Sequence, residues 1–164
     1  MGIFDVFRKK EPRTAAEPKP AAPPRPAEVK RKVASLLQKL KNSRTVGTSI
    51  FDKHGALDKI VEIGPPAVEH LIEALQTDYD PIARWTSVEA LGRIGDARAA
   101  APLIAVLKND SSADVRWHAA DSLGTLGDVR AIEALTAALK DQDSWVRDFA
   151  KKSLETLRAK RGQG

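Results

Sequence analysis

Few side chains in this sequence have the types and spacing that chemistry needs. There is no cysteine, which removes thiol nucleophiles, thiolate zinc sites and disulfides together. The three histidines are His54, His70 and His118. His118, without a carboxylate or cysteine partner at ligand spacing, reads as a packed or surface residue rather than a catalyst. No phosphate-cradling glycine loop and no nucleophile elbow occurs, and the acids fall where helix caps and solvated faces need them. The expectation is a protein without metal, cofactor or catalytic residues.

Other side chains recur. Arg84, Arg116 and Arg147 stand at a near-constant interval, with Asp78, Asp110 and Asp141 in the stretches just before them. A row of guanidinium groups could bind a phosphate or an acidic partner. One arginine per repeat is more simply explained by an Arg–Asp network between adjacent repeats, since stacking needs the same contact each time. Trp85 and Trp117 follow the first two arginines directly. One and two turns further along the same stripe come Glu89 and Gly92, or Asp121 and Gly124. None of these is a core type, so the stripe is expected on an inner, concave wall. Tryptophan is enriched at binding hot spots, and the glycines are expected to leave room for a partner chain. The competing reading is that each indole covers the seam to its neighbouring repeat. Asp148 holds the tryptophan position in the third copy, and Thr86 and Phe149 are the equivalents of His118. Trp145 is expected to pack.

The elements that carry these residues repeat as well. Leu71, Leu103 and Leu135 recur at one fixed interval, as do Leu75, Leu107 and Leu139, and Leu91, Leu123 and Leu154 keep step. Such self-similarity signals a stacked array. Each copy reads as two helices: Ala99, Pro102, Leu103, Val106 and Leu107 lie on one stripe, and Val115, Ala119, Ser122, Leu123 and Leu126 on another. Asp96 and Asp128 can cap the first (A) helices, and Asp80 with Pro81 starts a second (B) helix. Gly95 and Gly127 can take the left-handed conformation that ends B helices. Residues 29–63 form a degenerate copy with Val33, Leu36, Leu37 and Leu40 on its first helix. Three regular copies follow at 64–94, 95–126 and 127–158, the helical region closing near residue 160. The fold expected is an all-α solenoid of about four helical hairpins.

The pattern of Leu103, Leu107, Asp110, Val115, Arg116, Ala119, Leu123, Gly124, Leu126, Gly127 and Asp128 resembles the HEAT-like repeats of the phycobilisome-lyase type. The resemblance covers about residues 64–158 and, more loosely, 29–63. It implies an α-α superhelix shared by chromophore lyases, by an iron-dependent hydroxylase and by proteins that bind others. The hydroxylase holds iron through His-Glu pairs, and none of the three histidines here is followed by glutamate. A phycobilin lyase-like subunit stays as the alternative that the resemblance implies.

Residues 11–28 hold six prolines among Ala, Glu, Lys and Arg, a composition that gives a semi-rigid extended linker. Residues 1–28 are therefore expected to be a disordered tail. Residues 1–32 carry nine Lys/Arg against four Asp/Glu, and the remainder carries 18 of each, so the excess of +5 lies wholly in the tail. A folded nucleic-acid binder would show a basic face on the domain itself, so nucleic acid is not the expected partner, and an adaptor using the basic tail on nucleic acid or an anionic membrane is kept as an alternative. Ile3, Phe4 and Phe7 would share one helical face ahead of Arg8, Lys9 and Lys10. That peptide could touch an anionic membrane or dock on a partner. The longest apolar run, Ala99 to Leu107, has nine residues, well short of the roughly 18 that span a bilayer. The sequence points to a cytoplasmic monomer that scaffolds or adapts, binding an unidentified protein or peptide on its B-helix wall.

Overall fold

Apolar residues at helical spacing bury themselves by pairing helices, and the computed structural model shows four such pairs. It describes residues 25–42, 50–78 and 80–161, with backbone alone for 50–54 and 161. Ile3, Phe4, Phe7 and everything else before Arg25 lie outside it. The helices are α1 (Pro26–Asn42), α2 (Ile50–Ile63), α3 (Val68–Thr77), α4 (Pro81–Ile94), α5 (Ala100–Asn109), α6 (Ala113–Leu126), α7 (Ile132–Ala138) and α8 (Ser144–Arg161). Odd-numbered helices are A helices and even-numbered ones are B helices. No strand occurs among the described residues.

Local chemistry fixes the ends. Helix α1 begins at Pro26, earlier than the expected start near Val29, because proline suits the first helical position where no N–H partner is needed. Its stripe of Val29, Val33, Leu36, Leu37 and Leu40 is buried. Asp80 accepts from the Ile82 N–H at 2.9 Å and starts α4. Each later A helix is preceded by a single 3-10 turn, at Pro65–Ala67, Ala97–Ala99 and Val129–Ala131. Asp96 and Asp128 accept from the N–H groups of Arg98 and Arg130 at the last two of these turns, at 3.0 and 2.9 Å. Gly95 and Gly127 end α4 and α6 with φ of 74° and 79°.

The core runs unbroken along the array. Leu71, Leu103 and Leu135 from the A helices meet Leu91, Leu123 and Leu154 from the B helices, all essentially inaccessible. Each such side chain stabilises the fold by about 1.5–3 kcal/mol. Contact between α4 and α6 and between α6 and α8 is more extensive than between the A helices beside them. Gly92 and Gly124 lie where they touch, and Ser122 and Ser153 of the next B helix fill the space a side chain would occupy. The Ser122 hydroxyl donates to the Val88 carbonyl at 3.2 Å across this seam.

Candidate functional site

The first turns of α4, α6 and α8 carry the recurrent arginines. The Arg84 fork donates to both carboxylate oxygens of Asp110, at 2.8 and 2.9 Å, and its third nitrogen donates to the Asp78 carbonyl at 3.2 Å. Arg116 repeats this on Asp141, at 2.9 Å for both bonds, and on the Asp110 carbonyl at 2.9 Å. Both pairs are largely buried. Each arginine thus joins its own A–B turn to that of the following repeat. The carboxylate is preset for this, because Asp110 and Asp141 also accept the N–H of Ser112 and Asp143, each at 2.9 Å. The Arg116 guanidinium holds the Asp141 carboxyl below the usual carboxylate range. Asp78, at the front of the row, pairs with Lys41 of α1. A second, exposed row that the repeat pattern did not flag sits at the 3-10 turns: Arg98 on Asp96 and Glu69, and Arg130 on Asp128. The Arg98 contact lowers the Asp96 carboxyl to about 2.

The open side of the B helices carries an aromatic stack. Trp85 of α4 stacks on His118 of α6 at 4.8 Å and 13°. His118 lies against Trp117 at 3.5 Å, and Trp117 meets Phe149 of α8 at 4.8 Å. Trp145 extends the row, tilted, 6.4 Å from Phe149. Four rings in contact therefore cross three repeats. Trp85, Trp117 and Phe149 are half-buried and lean on the core, so each indole covers a seam while an edge remains accessible.

Beside the stack runs a depression of about 300 Å³ lined by Glu89, Arg93, Trp117, His118, Asp121, Thr125 and Phe149. Asp121 accepts from Lys152 at 3.2 Å, and the same ammonium sits 5.3 Å from the Phe149 ring centroid. The groove thus offers a ring face and a carboxylate side by side, and one intrachain cation already uses both.

Two sequence expectations change here. Gly92 and Gly124 do not open the wall to a partner chain: a β-carbon at either would strike the following B helix, so they serve the seams and Gly92 is groove floor. Trp145 is not packed but 64% exposed. His118, expected as a packed or surface residue, is packed, and it is the ring that links Trp85 to Trp117. Repeat alignment hides this, because stacking pairs a tryptophan with the position one residue later on the next helix, where Thr86, His118 and Phe149 stand.

Burial pushes the His118 imidazole down to about 4, outweighing the opposing pull of Asp114 and Asp121. The ring is therefore neutral at pH 7. Between pH 6.5, where an unfolded histidine titrates, and pH 4, the unfolded chain binds the extra proton. Stability contributed by His118 is full above that window and falls as pH drops through it. The loss should reach about 1–2 kcal/mol after solvent screening of a partly exposed ring. His118→Phe, copying Phe149, should remove that part of the pH dependence in urea unfolding at pH 4.5 and 7.

Among the described residues no three His, Asp or Glu side chains gather to hold a metal ion. The His54 side chain lies outside the described residues. No described helix is long and apolar enough to cross a membrane.

Antiparallel helix pairs stacked at a constant period and joined by Arg–Asp forks define a helical-repeat solenoid. The chain belongs to the HEAT repeat family, whose model matches residues 53–113 and 68–155. No curated protein matches it in sequence. Among solved structures it is similar to human deoxyhypusine hydroxylase in complex with glycerol, with a TM-score of 0.63 and 23% identity. That match covers 84% of this chain and 47% of the other, so the chain spans about half of that enzyme's length. At this identity the likeness concerns the fold alone.

Proposed function

We propose that this chain is a non-enzymatic adaptor that holds a protein or peptide segment along its B-helix wall and selects for basic side chains. The aromatic stack beside the Asp121 carboxylate, which already holds the Lys152 ammonium against a ring, carries the reading. Trp117 and Phe149 supply apolar area with few side-chain torsions to freeze, as binding hot spots do. Asp121 supplies charge at the groove edge, and Lys152 marks the kind of group that suits it. Trp85 anchors the stack from behind.

A library of short peptides graded in charge provides the test, with tryptophan fluorescence and calorimetry on the selected sequences. Bound peptides should carry Lys or Arg next to an apolar residue. Asp121→Asn, at the surface, should weaken binding about tenfold, an effect of about 1.4 kcal/mol, and Trp117→Ala should weaken it further. Deleting residues 1–24 should change neither result. Peptides selected without basic character, or retained by the Trp117→Ala protein, would refute the assignment.

A further inference from the structure

Arg147, the last of the described arginines in the row, has a fork that no described carboxylate fills. Arg147 keeps the bonds that orient its predecessors, donating to the carbonyls of Asp141 and Gln142 at 2.8 and 2.9 Å. Its guanidinium is therefore held in the repeat geometry. Among the described residues no carboxylate meets its remaining fork, since no further A–B turn follows within them. The molecule displays twice what such a fork takes: the aspartate of an Asp-x-Ser or Asp-x-Asp turn whose carboxylate also accepts the N–H two residues on. The apolar half of the same joint is open too. Leu139, just before Asp141, is 38% exposed, whereas its equivalents Leu107 and Leu75 are 3% and 9% exposed.

Another stacked repeat does not suit this edge. Where Gly92 and Gly124 admit the next B helix, α8 carries Glu155, and where Ala120 is buried it carries Lys151, both exposed. The front of a second copy does not suit it either. The stretch before α2, residues 43–49, reads Ser-Arg-Thr-Val-Gly-Thr-Ser without an acid, and Asp78 already pairs with Lys41.

We propose that the Arg147 edge, with Leu139 beside it, receives an aspartate-bearing turn of an acidic partner protein. The contact reproduces the Arg84–Asp110 joint between molecules. Guanidinium and carboxylate match as two parallel charged hydrogen bonds, and Lys151, one turn along α8, adds charge of the right sign. This site is separate from the groove at Trp117 and does not depend on it.

The probe is a blocked heptapeptide with the sequence of residues 107–113, whose one acid is Asp110, titrated into the full chain. The side-chain Nε–H signal of Arg147 is followed by NMR. A saturable shift of that signal is expected. It should weaken at least tenfold with the Asp110→Asn peptide and with raised salt, and persist in the Trp117→Ala protein. Read from the backbone N–H signals of α8, the peptide should lose at least tenfold in affinity for the Arg147→Gln protein, while Arg147→Lys, which keeps charge but not the fork, should fall between. An unmoved Nε–H signal, equal binding of the Asn peptide, or affinity unchanged in Arg147→Gln would overturn the proposal. So would a shift of the same signal with protein concentration alone, which would make a second copy the occupant.

Discussion

Replacing Gly124 by valine is expected to destabilise the protein by about 2–3 kcal/mol, read as a lowered urea midpoint. Glycine inside a helix ordinarily costs about 0.5–1 kcal/mol relative to alanine, so a side chain should help wherever there is room. At Gly124 there is none. A β-carbon would lie 2.5 Å from the Ser153 hydroxyl, 2.8 Å from its β-carbon and 3.0 Å from its α-carbon. A rotamer change could relieve the first contact but not the other two, so α8 would have to move away from α6. Gly92 meets Ser122 in the same manner, with contacts of 2.7, 2.7 and 3.0 Å. Gly55 in α2 is the control, because nothing lies within 4 Å of its hypothetical β-carbon. Gly55→Ala should stabilise by about 0.5–1 kcal/mol, opposite in sign to the change at Gly124. Adding Ser153→Gly to Gly124→Ala should restore part of the loss, a coupling that a double-mutant cycle measures directly. If Gly124→Val and Gly55→Ala shift the midpoint alike, the seam does not constrain the array. Because these seams set how closely the B helices approach, the same substitution should also reshape the groove at Trp117 and Asp121.

Arg116→Ala should cost about 3 kcal/mol. It removes two charge-assisted bonds to Asp141 and one to the Asp110 carbonyl. It also leaves a largely buried carboxylate without its cation, and that is the greater penalty. Arg84→Ala should cost a similar amount. Arg147→Ala, which strands no carboxylate, should cost about 1 kcal/mol. Acid provides an independent check. Asp141 has a depressed pKa through Arg116, so its contribution is present above the ordinary carboxylate range and is lost as the pH falls toward the folded value. The gap between wild type and Arg116→Ala should therefore narrow well below pH 4. A gap that stays constant with pH would mean the arginine acts by packing its stem rather than through its charge. Energies in a repeat array add up from neighbouring joints, so the first and last forks should perturb the array less widely than the central one.

Much of this molecule is written in its sequence. The repeat period, the pairing of helices, the aspartate caps and the glycine stops depend on residues within one turn or one hairpin, where spacing alone decides which side chains meet. Recurrence of Arg and Asp in every regular copy pointed to a joint between repeats because stacking needs the same contact each time. What tertiary structure decided was contact between B helices of successive repeats. The axial offset between one B helix and the next sets those contacts, and no single repeat contains it. That offset places Ser122 and Ser153 against the glycines, where the sequence suggested open space. It brings His118 between two tryptophans, although alignment puts it opposite Thr86 and Phe149, and it leaves Trp145 in solvent. Likewise only the described surroundings of its fork separate Arg147 from Arg84 and Arg116. The three arginines are equivalent in sequence, and their difference is the absence, among the described residues, of a following turn to close the last fork.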